Sequence, residues 1–573
     1  MHILGVSCYF HDAAAALISD GAIVAAAEEE RFSRRKHDAS FPRRAIDFCL
    51  KHGRLRAEDL DYVVYFEKPF LKLERLLLSA LATWPRSRRL FAESMLTFAG
   101  DKLGIRRLIG QEIGVSRDRI LFSEHHLSHA ASCFFVSPFA DAAILTIDGV
   151  GEWATTSIAK GIGNRIELLD EIRFPHSLGL LYSAFTAFLG FEVNEGEYKV
   201  MGMAPFGTPR YVEDVCRVIR LHADGSFELD LSYFSFPYST SQTYSRKFEQ
   251  LFGAARAPGT EFKPDDPAST RYADIAASVQ HVIEEAVLRL ANRARERTGL
   301  NRLCLAGGVA LNSVANGRVL REGGFDDIYI QPAAGDSGGA LGAALYAWHM
   351  VETRPRGSVL ERADLGAPAT DAARAFRQCG LQFGEFSGEQ LVSEVARRLA
   401  DGKVVGWVQG GFEWGPRSLG HRSILADPRQ AGMRDHVNRA IKFREPFRPF
   451  APSVTASRAA EYFEMPNAPD LYPARFMLYV TPVLEQQRTV LPAVTHVDGT
   501  ARPQVVHQSS QPLYHALLSA FEARTGVPVL LNTSFNLRGE PIVASTADAL
   551  STFERSGLDT LVIESCIVEK RSK

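Results

Sequence analysis

The chain contains 573 residues, 46% of them hydrophobic and 23% charged, a composition typical of a water-soluble protein with at least two domains. A formal net charge of -2 excludes the broad basic surface of a nucleic-acid-binding protein, so we expect no nucleic-acid partner. The 7 cysteines include no Cys-x-x-Cys pair, and no apolar stretch is long enough to span a bilayer. We therefore expect neither a disulfide framework nor a membrane partner, and a cytoplasmic location.

The first elements predict a three-stranded meander followed by a helix. A strand is expected over Ile3–Ser7, and a hairpin with arms Ala13–Ser19 and Ala22–Glu28 turns at Asp20-Gly21, a favoured tight-turn pair. A helix is expected over Arg43–Lys51. Beyond it, the region 68–116 is rich in Leu and Arg and predicts further helices, to which we assign no function.

The same plan returns in a second lobe. Strands are expected over Ala143–Asp148, Trp153–Ala159 and Arg165–Arg173, and helices follow them. Two such lobes in one chain predict the α/β fold class and resemble the duplicated actin/Hsp70/sugar-kinase type of nucleotide-binding domain. The segment Phe236–Arg271 mixes Ser, Thr, Pro, Gly and charges, and it predicts a long loop beside the acceptor pocket.

Two histidines and two aspartates predict a metal site in this region. His125 and His129 stand at i and i+4, so on a helix both imidazoles leave the same face, while Asp148 and Asp336 stand at loop ends. Neutral imidazole and carboxylate ligands suit Fe(II), Mn(II) or Zn(II), and their spacing does not choose among them. The alternative is a hydrogen-bonded histidine pair in the core, with Asp148 capping a turn.

Glycine-rich turns predict a nucleotide site near the same residues. Gly149 and Gly151 follow one strand, and Gly307-Gly308 follows another, ahead of Asn312 and a helix that starts near Ser313. Paired glycines at a strand-to-helix turn let backbone N–H groups approach a phosphate. Each pair alone is a weak signal.

The composition changes after Trp348, and the chain is predicted to divide into a domain over 1–352, a linker over 353–369 and a second domain over 370–573. A helix over Gly388–Leu399 and a strand over Lys403–Gln409 begin the second domain. Cations there lie among Gly, Pro and aromatic residues, which favours a pocket for a small, dense anion such as phosphate. The alternative is a set of surface arginines in salt bridges. The predicted donors are Arg417, Lys442, Arg448, Arg502, Asn532 and Ser534.

Several segments, in this order along nearly the whole chain, carry a family resemblance: the motif at His11, Glu28–His37, His125–His129, Asn194–Pro205, Gly307-Gly308, Gly415–Ser423 and Asn532–Asn536. Together they resemble the O-carbamoyltransferases of antibiotic biosynthesis and nodulation. The resemblance implies an N-terminal domain like the tRNA threonylcarbamoyl transferase and a C-terminal YrdC-like α+β domain. It also implies that ATP with Mg and carbamoyl phosphate form carbamoyl-adenylate, whose carbamoyl group passes to a hydroxyl of a natural product or sugar.

The same resemblance implies roles for individual residues. The family's iron site maps onto the four predicted metal ligands, and the anion pocket of the second domain becomes the carbamoyl phosphate site. His11, beside Asp12, is implied as the general base or orienter of the acceptor hydroxyl, or it only caps its loop. Lys36 and Lys199 are implied to meet phosphates or the carbamoyl oxygen, or else they are surface cations.

Three other functions compete with this one. A threonylcarbamoyl tRNA-modifying transferase would carry a basic substrate face, which the near-neutral charge disfavours. A carbamoyltransferase that acts on a protein cysteine would bring Cys pairs. A non-catalytic ATP-dependent binding or chaperone module is disfavoured by the cation-rich pocket. Glu195 and Glu197 make one rim acidic, which slightly favours an amine-bearing or sugar acceptor. A homodimer remains open.

Overall fold

Two structural units share the chain, and the second is assembled from two separate segments. In this computed structural model, residues 1–97, 104–263, 266–357, 359–445 and 447–570 are described. The first unit contains Met1–Ala25 and Ala39–Val359, and the second contains Ala26–Asp38 and Leu360–Lys573. The domain bounds drawn from the sequence stay a prediction.

The first sheet has the strand order β3-β2-β1-β4-β5. Strand β1 pairs antiparallel with β2 and parallel with β4, which in turn pairs parallel with β5. Asp20 and Gly21 both have positive φ, at 49° and 83°, which suits the predicted tight turn between β2 and β3. The strands are β1 His2–Ser7, β2 Ala14–Ser19, β3 Ala22–Glu28, β4 Tyr62–Tyr65 and β5 Ile120–Phe122.

The second sheet repeats this plan, with the order β12-β11-β6-β7-β8. Here β6 pairs antiparallel with β7 and parallel with β11, just as β1 pairs with β2 and β4. The strands are β6 Asp141–Ile147, β7 Ala154–Ile162, β8 Arg165–Arg173, β11 Arg302–Ala306 and β12 Asp327–Ile330, and a separate ribbon joins β9 Ile219–Leu221 to β10 Phe227–Leu229. The α/β class and the duplicated N-terminal design are thereby confirmed.

Helices α1 to α13 are α1 Glu30–Ser33, α2 Arg43–Gly53, α3 Pro69–Ala82, α4 Arg88–Thr97, α5 Ile105–Ile113, α6 His125–Phe134, α7 Leu178–Phe188, α8 Glu197–Met203, α9 Val212–Val218, α10 Arg246–Phe252, α11 Pro267–Thr298, α12 Ser313–Glu322 and α13 Asp336–Tyr346. All but α1 lie in the first unit. The prediction of one long loop over Phe236–Arg271 is wrong, because α10 and the start of α11 fall within it. Phe248 and Phe252 of α10 are buried, and this apolar pair holds the helix against the unit.

An eight-stranded mixed sheet forms the second unit, with the order β13-β22-β21-β14-β15-β20-β16-β19. Its core packs two helices, α15 Gly388–Ala400 and α19 Pro512–Thr525, against the sheet around Trp407, Phe521 and Val562. The strands of this sheet are β13 Phe383–Glu385, β14 Val405–Val408, β15 Arg422–Ala426, β16 Ala451–Thr455, β19 Gln504–Val506, β20 Val529–Ser534, β21 Thr560–Ile563 and β22 Cys566–Glu569. A separate two-stranded ribbon pairs β17 Thr481–Pro482 with β18 Thr500–Ala501. The helices are α14 Ala372–Gln378, α15 Gly388–Ala400, α16 Met433–His436, α17 Tyr472–Arg475, α18 Glu485–Arg488, α19 Pro512–Thr525 and α20 Thr546–Arg555. The YrdC-like kinship of this unit stays a prediction.

Within the ranges that the structure describes, no helix has both the length and the apolar character needed to cross a membrane.

Candidate functional site

Four predicted metal ligands converge inside the first unit. His125 and His129 lie on the first turns of α6, Asp148 follows β6, and Asp336 begins α13. One donor atom from each residue lies within 4.8 Å of the others, and all four residues are buried. The closest approach of each imidazole to a carboxylate is 3.1 Å from His125 Nε2 to Asp148 Oδ2 and 3.4 Å from His129 Nε2 to Asp336 Oδ1.

The electrostatics of this cluster favour the binding of protons or of a cation. Burial by itself raises the pKa of Asp148, but the hydrogen bond with His125 and the nearby ring of His129 outweigh it and hold this pKa well below its usual range. Burial likewise lowers the pKa of His129, but Asp148 and Asp336 outweigh it and raise the pKa to about 9. Two buried carboxylates thus attract either protons or a cation.

Unpartnered donor atoms fit the cluster to a metal ion. Neither carboxylate oxygen of Asp336 has a hydrogen-bond partner among the described residues, and the residue is only 1% exposed. His125 Nε2 lies 3.1 Å from His129 Nε2, so two ring nitrogens face each other beside the carboxylates. Native proteins seldom leave such buried polar atoms unpaired, and two imidazoles with two carboxylates are a donor set that divalent iron, manganese or zinc accepts.

His11 and Asp12 lie beside this cluster. His11 Nδ1 is 2.9 Å from Asp12 Oδ2, while His11 Nε2 is 3.7 Å from Asp336 Oδ2. Burial opposes the charged ring, but Asp336 and Asp12 raise the pKa of His11 to about 10. The hydrogen bond to Asp12 fixes the ring so that Nε2 faces the cluster.

The glycine turns bring the backbone close to the same carboxylate. Gly308 donates its backbone N–H to Asp148 Oδ1 at 2.8 Å. Gly307 has φ 92°, and a Cβ there would lie 2.2 Å from the carbonyl oxygen of Ile147. A Cβ on Gly151 would lie 3.0 Å from the His125 ring, whereas one on Gly149 would meet nothing within 4 Å. The structure therefore brings three of these four glycines into tight contact around the cluster.

The remaining predicted nucleotide ligands are already engaged within the protein. Asn312 caps α12, and its amide pairs with the amide of Gln280 through two hydrogen bonds of 3.1 Å. Lys199 lies on α8, with its ammonium 5.8 Å from the centre of the Phe191 ring. Their nucleotide-binding roles stay predictions.

Sequence reasoning missed a buried glutamate that holds the start of α6. Glu152 Oε1 accepts the backbone N–H of His125 at 3.0 Å and that of Lys68 at 2.7 Å. The carboxylate thus satisfies a donor at the first turn of the helix that carries the histidines. Its position directly after the predicted glycine turn was the signal that could have identified it.

In the second unit, Lys442 lies at the centre of a group of buried polar atoms. Its Nζ donates to Ser534 Oγ at 3.2 Å and to Asn536 Oδ1 at 2.5 Å, and also to both backbone carbonyls of these residues. Burial, followed by the charges of Arg444, Arg448 and Lys36, holds the pKa of Lys442 well below its usual value.

Arg502 joins the same positively charged region. Burial, followed by the charges of Arg417 and Arg448, holds its pKa well below the usual value. The Nε of Arg502 is buried and has no hydrogen-bond partner among the described residues. The four predicted cations therefore act on one another electrostatically, as expected of a pocket that awaits an anion. We call Arg417, Lys442, Arg448 and Arg502 the cation cluster.

Asn532 provides a polar group in the same unit. Its Nδ2 donates to Ser453 Oγ and to Gln504 Oε1, each at 3.0 Å, and to the carbonyl of Ser418 at 3.3 Å. Its Oδ1 is buried without a partner in the described part of the chain. An acceptor atom of this kind can receive an N–H of a carbamoyl amide.

The N-terminal segment Ala26–Asp38 belongs to the second unit, and it supports the loop that carries Arg417. Glu28 Oε1 accepts the backbone N–H of Gly415 at 2.7 Å, and Arg31 donates to the carbonyl of Gly415 at 2.6 Å. Glu28 and Arg31 are both buried, 3.4 Å apart. Lys36 lies in this segment as well, which places it in the unit of the cation cluster. Sequence reasoning used the segment only for a resemblance and missed its structural role.

Two family models match the chain. The model described as Carbamoyltransferase N-terminus matches residues 2–345, and the model described as Carbamoyltransferase C-terminus matches residues 396–570. The chain belongs to the carbamoyltransferase family. The resemblance stated from the motifs is confirmed, and so is the expectation of an enzyme.

Three relatives illustrate the range of similarity. The uncharacterized protein sll1178 of Synechocystis sp. is 47% identical, over 100% of this chain and 97% of that protein. Nodulation protein NolNO of Sinorhizobium fredii is 41% identical, over 98% of this chain and 80% of that protein. The 3'-hydroxymethylcephem-O-carbamoyltransferase of Amycolatopsis lactamdurans is 36% identical, over 46% of this chain and 47% of that protein.

Proposed function

We propose that this carbamoyltransferase uses ATP, as its Mg complex, and carbamoyl phosphate to carbamoylate a hydroxyl of a small molecule. Carbamoyl phosphate first loses phosphate to water and leaves carbamate. A carbamate oxygen attacks the α-phosphorus of ATP, which forms carbamoyl-adenylate and releases pyrophosphate. The acceptor oxygen then attacks the carbamoyl carbon, its proton leaves to a base, and AMP departs.

The cation cluster is the observation that carries this proposal. Lys442 and Arg502 are cations whose pKa values are held low by burial and by neighbouring positive charge, a costly arrangement for a protein without an anionic ligand. Carbamoyl phosphate supplies that anion, and Asn532 and Ser534 offer polar atoms for its amide. Adenylate formation needs alignment and charge neutralisation more than a protein nucleophile, which suits this pocket.

The transfer step is assigned to the first unit. With Nδ1 of His11 hydrogen-bonded to Asp12, Nε2 is the atom that would take the proton of the acceptor hydroxyl, once a cation at the cluster offsets the charge of Asp336 that raises the pKa of His11. The glycine turn at Gly307-Gly308 offers close backbone approach for the adenylate. Catalysis here consists of holding the acceptor oxygen and the carbamoyl carbon in contact while excluding water.

His125, His129, Asp148 and Asp336 are the residues that would hold a divalent metal, for which we propose Fe(II), with Mn(II) or Zn(II) as alternatives. Such an ion would supply positive charge that stabilises phosphate oxygens in the transfer step.

A small-molecule hydroxyl is supported as the acceptor by one relative. The cephem O-carbamoyltransferase is named for transfer to the oxygen of a hydroxymethyl group. It is 36% identical to this chain over 46% of this chain. We extend that acceptor class to this protein.

Isotope exchange tests the first step without knowledge of the acceptor. The full-length protein with Mg-ATP is expected to exchange labelled pyrophosphate into ATP only when carbamoyl phosphate is present. Arg502→Met should abolish this exchange, whereas Arg439→Gln, a change at an arginine with a 79% exposed side chain in the same unit, should leave it intact. His11→Gln should keep the exchange and slow the carbamoylation of hydroxyl compounds, detected as a mass gain of one carbamoyl group.

Two results would overturn the proposal. Exchange that proceeds without carbamoyl phosphate would show that another substrate is adenylated. Exchange lost in His11→Gln but retained in Arg502→Met would reverse the assignment of the two steps to the two units.

A further inference from the structure

Helix α3 buries its two cationic side chains and exposes several of its large apolar side chains. Lys72 and Arg75 are 9% and 6% exposed, whereas Phe70 and Leu81 are 71% and 70% exposed. The two buried cations stand three residues apart, so they share one face of the helix. A helix that only covered the core would face the other way, because the hydrophobic effect favours burial of Phe and Leu over Lys and Arg.

Lys72 is neutralised by a carboxylate on the inner side of α3. Its Nζ lies 2.7 Å from Glu67 Oε2, and Glu67 is fully buried after β4. The same ammonium lies 5.1 Å from the centre of the Phe10 ring, and that ring is 4.5 Å from the ring of His11. The inner face of α3 therefore reaches the neighbourhood of the proposed base.

Arg75 has no such neutralising partner. Its guanidinium carbon stacks 5.1 Å from the centre of the Phe174 ring, and its Nε is buried without a hydrogen-bond partner. The structure gives its guanidinium no ion pair with any described residue. Burial lowers the pKa of Arg75 to about 10, and Glu67 and Glu152 only partly oppose this. An arginine kept charged and nearly buried, without a protein acceptor, is suited to bind an anion.

The location of Arg75 connects it with the transfer site. Its charge acts on Glu152, whose carboxylate accepts the backbone N–H of the metal-ligand candidate His125. Glu152 is itself occupied by the two backbone donors of His125 and Lys68, and Glu67 is occupied by Lys72. The nearby acids therefore leave the hydrogen-bonding fork of the guanidinium available for a ligand.

We propose that Arg75 binds an oxyanion on the acceptor, so that the preferred substrate is a hydroxylated small molecule bearing a carboxylate, phosphate or sulfate group. Phe174, on whose ring the guanidinium stacks, flanks this subsite. This inference rests on the proposed function, because it names the class of acceptor for the transfer step. It does not require the adenylate to form in the second unit.

Residue-resolved arginine modification tests the subsite with a known probe. The full-length protein is treated with phenylglyoxal, and Arg75 is followed by peptide mass. Glycerol 3-phosphate at ten times its dissociation constant is expected to slow modification of Arg75 about tenfold, whereas glycerol at the same concentration has no effect. Arg89, whose side chain is 80% exposed, serves as the internal control and should react equally in both cases.

The other possible oxyanion at this site is the phosphate of the adenylate, and AMP distinguishes it. Protection of Arg75 by AMP alone would assign the residue to the nucleotide, and protection by neither compound would remove the subsite; either result overturns the inference. If burial keeps the reagent from Arg75, thermal unfolding replaces it. Glycerol 3-phosphate should then raise the midpoint of the wild type and of Arg89→Gln more than that of Arg75→Gln, and equal shifts would refute the subsite.

The isotope exchange assay separates this inference from the proposed function. Protection of Arg75 by glycerol 3-phosphate together with absent exchange would contradict the proposed reaction and leave the oxyanion site standing. Exchange of pyrophosphate without protection of Arg75 would support the proposed reaction and contradict the oxyanion site.

Discussion

Replacement of Arg31 by Met should destabilise the second unit and impair adenylate formation. Arg31 and Glu28 are buried together, and each holds one polar group of Gly415, two residues before Arg417. Loss of Arg31 leaves the carboxylate of Glu28 without its counter-ion, and burial already raises the pKa of Glu28. The loop that carries Arg417 loses its carbonyl contact at the same time.

The expected magnitude follows from the geometry of this pair. Removal of one partner of a buried ion pair costs about 3–5 kcal/mol. For a unit of about 200 residues, this lowers the thermal midpoint by on the order of 10 °C. Glu28→Gln combined with Arg31→Met should recover part of the loss, because a neutral amide can still accept the N–H of Gly415.

The cost should also depend on pH. Without Arg31, the pKa of Glu28 in the folded state lies further above its value in the unfolded state, so the folded state binds more protons. Stability of Arg31→Met should therefore rise as the pH falls from 8 towards the unfolded pKa of about 4.3. Calorimetry of Arg31→Met and of Arg35→Met, a change at an exposed arginine on the same segment, measures the difference. Equal midpoints for the two variants, or a loss independent of pH, would refute this reasoning.

Three further predictions concern binding and the glycine turn. Burial and neighbouring cations hold the pKa of Lys442 low, and a bound anion would raise it. Carbamoyl phosphate should therefore bind with uptake of a proton and more weakly as the pH rises. Calorimetry in buffers of different ionisation heat measures this uptake, and its absence would contradict the prediction. His129→Ala should weaken Mn(II) binding by at least ~10–100-fold, as metal content after dialysis will show, whereas His126→Gln on the same helix should retain the ion. Gly307→Ala places a Cβ 2.2 Å from a carbonyl oxygen and should cost about 2–3 kcal/mol in unfolding free energy, more than Gly299→Ala, where φ is also positive but the space is open.

The sequence predicted those parts of the fold that local signals control. The Asp20-Gly21 pair located the turn of the first hairpin, and the strand Arg165–Arg173 was placed with the observed bounds. In both cases the turn residues and the alternating pattern lie within a few residues of the element they specify. The repeat of a meander before helices then sufficed for the duplicated design.

Features that depend on distant partners could not be predicted. The orientation of α3 is an example. Its leucine-rich composition predicts a helix, but it does not predict that Lys72 and Arg75 lie on the buried face. Helix α10 is not evident from the sequence, because its N-cap Ser245 and its first residue Arg246 continue the loop-like composition, and the buried Phe248 and Phe252 are too few to show a period.

The candidate site divides in the same way. Spacing brought His125 and His129 to one helix face, and the order of motifs suggested Asp148 and Asp336, which the structure places in the same cluster. Asn312 was predicted from its place after the glycine pair, yet its contact with Gln280, 32 residues earlier, has no local signal. The metal-binding role of the cluster, the cofactors and the acceptor class are the proposals that the assays above test.

The two-segment construction of the second unit has a consequence during synthesis. Arg31 leaves the ribosome 384 residues before its partner Gly415. At a synthesis rate of about 5–20 residues per second, roughly 20–80 s pass before Gly415 is made and the contact can form. The waiting segment Glu28–Lys36 is dominated by charged side chains, so it stays hydrated and offers a poor surface for aggregation until the late strands emerge.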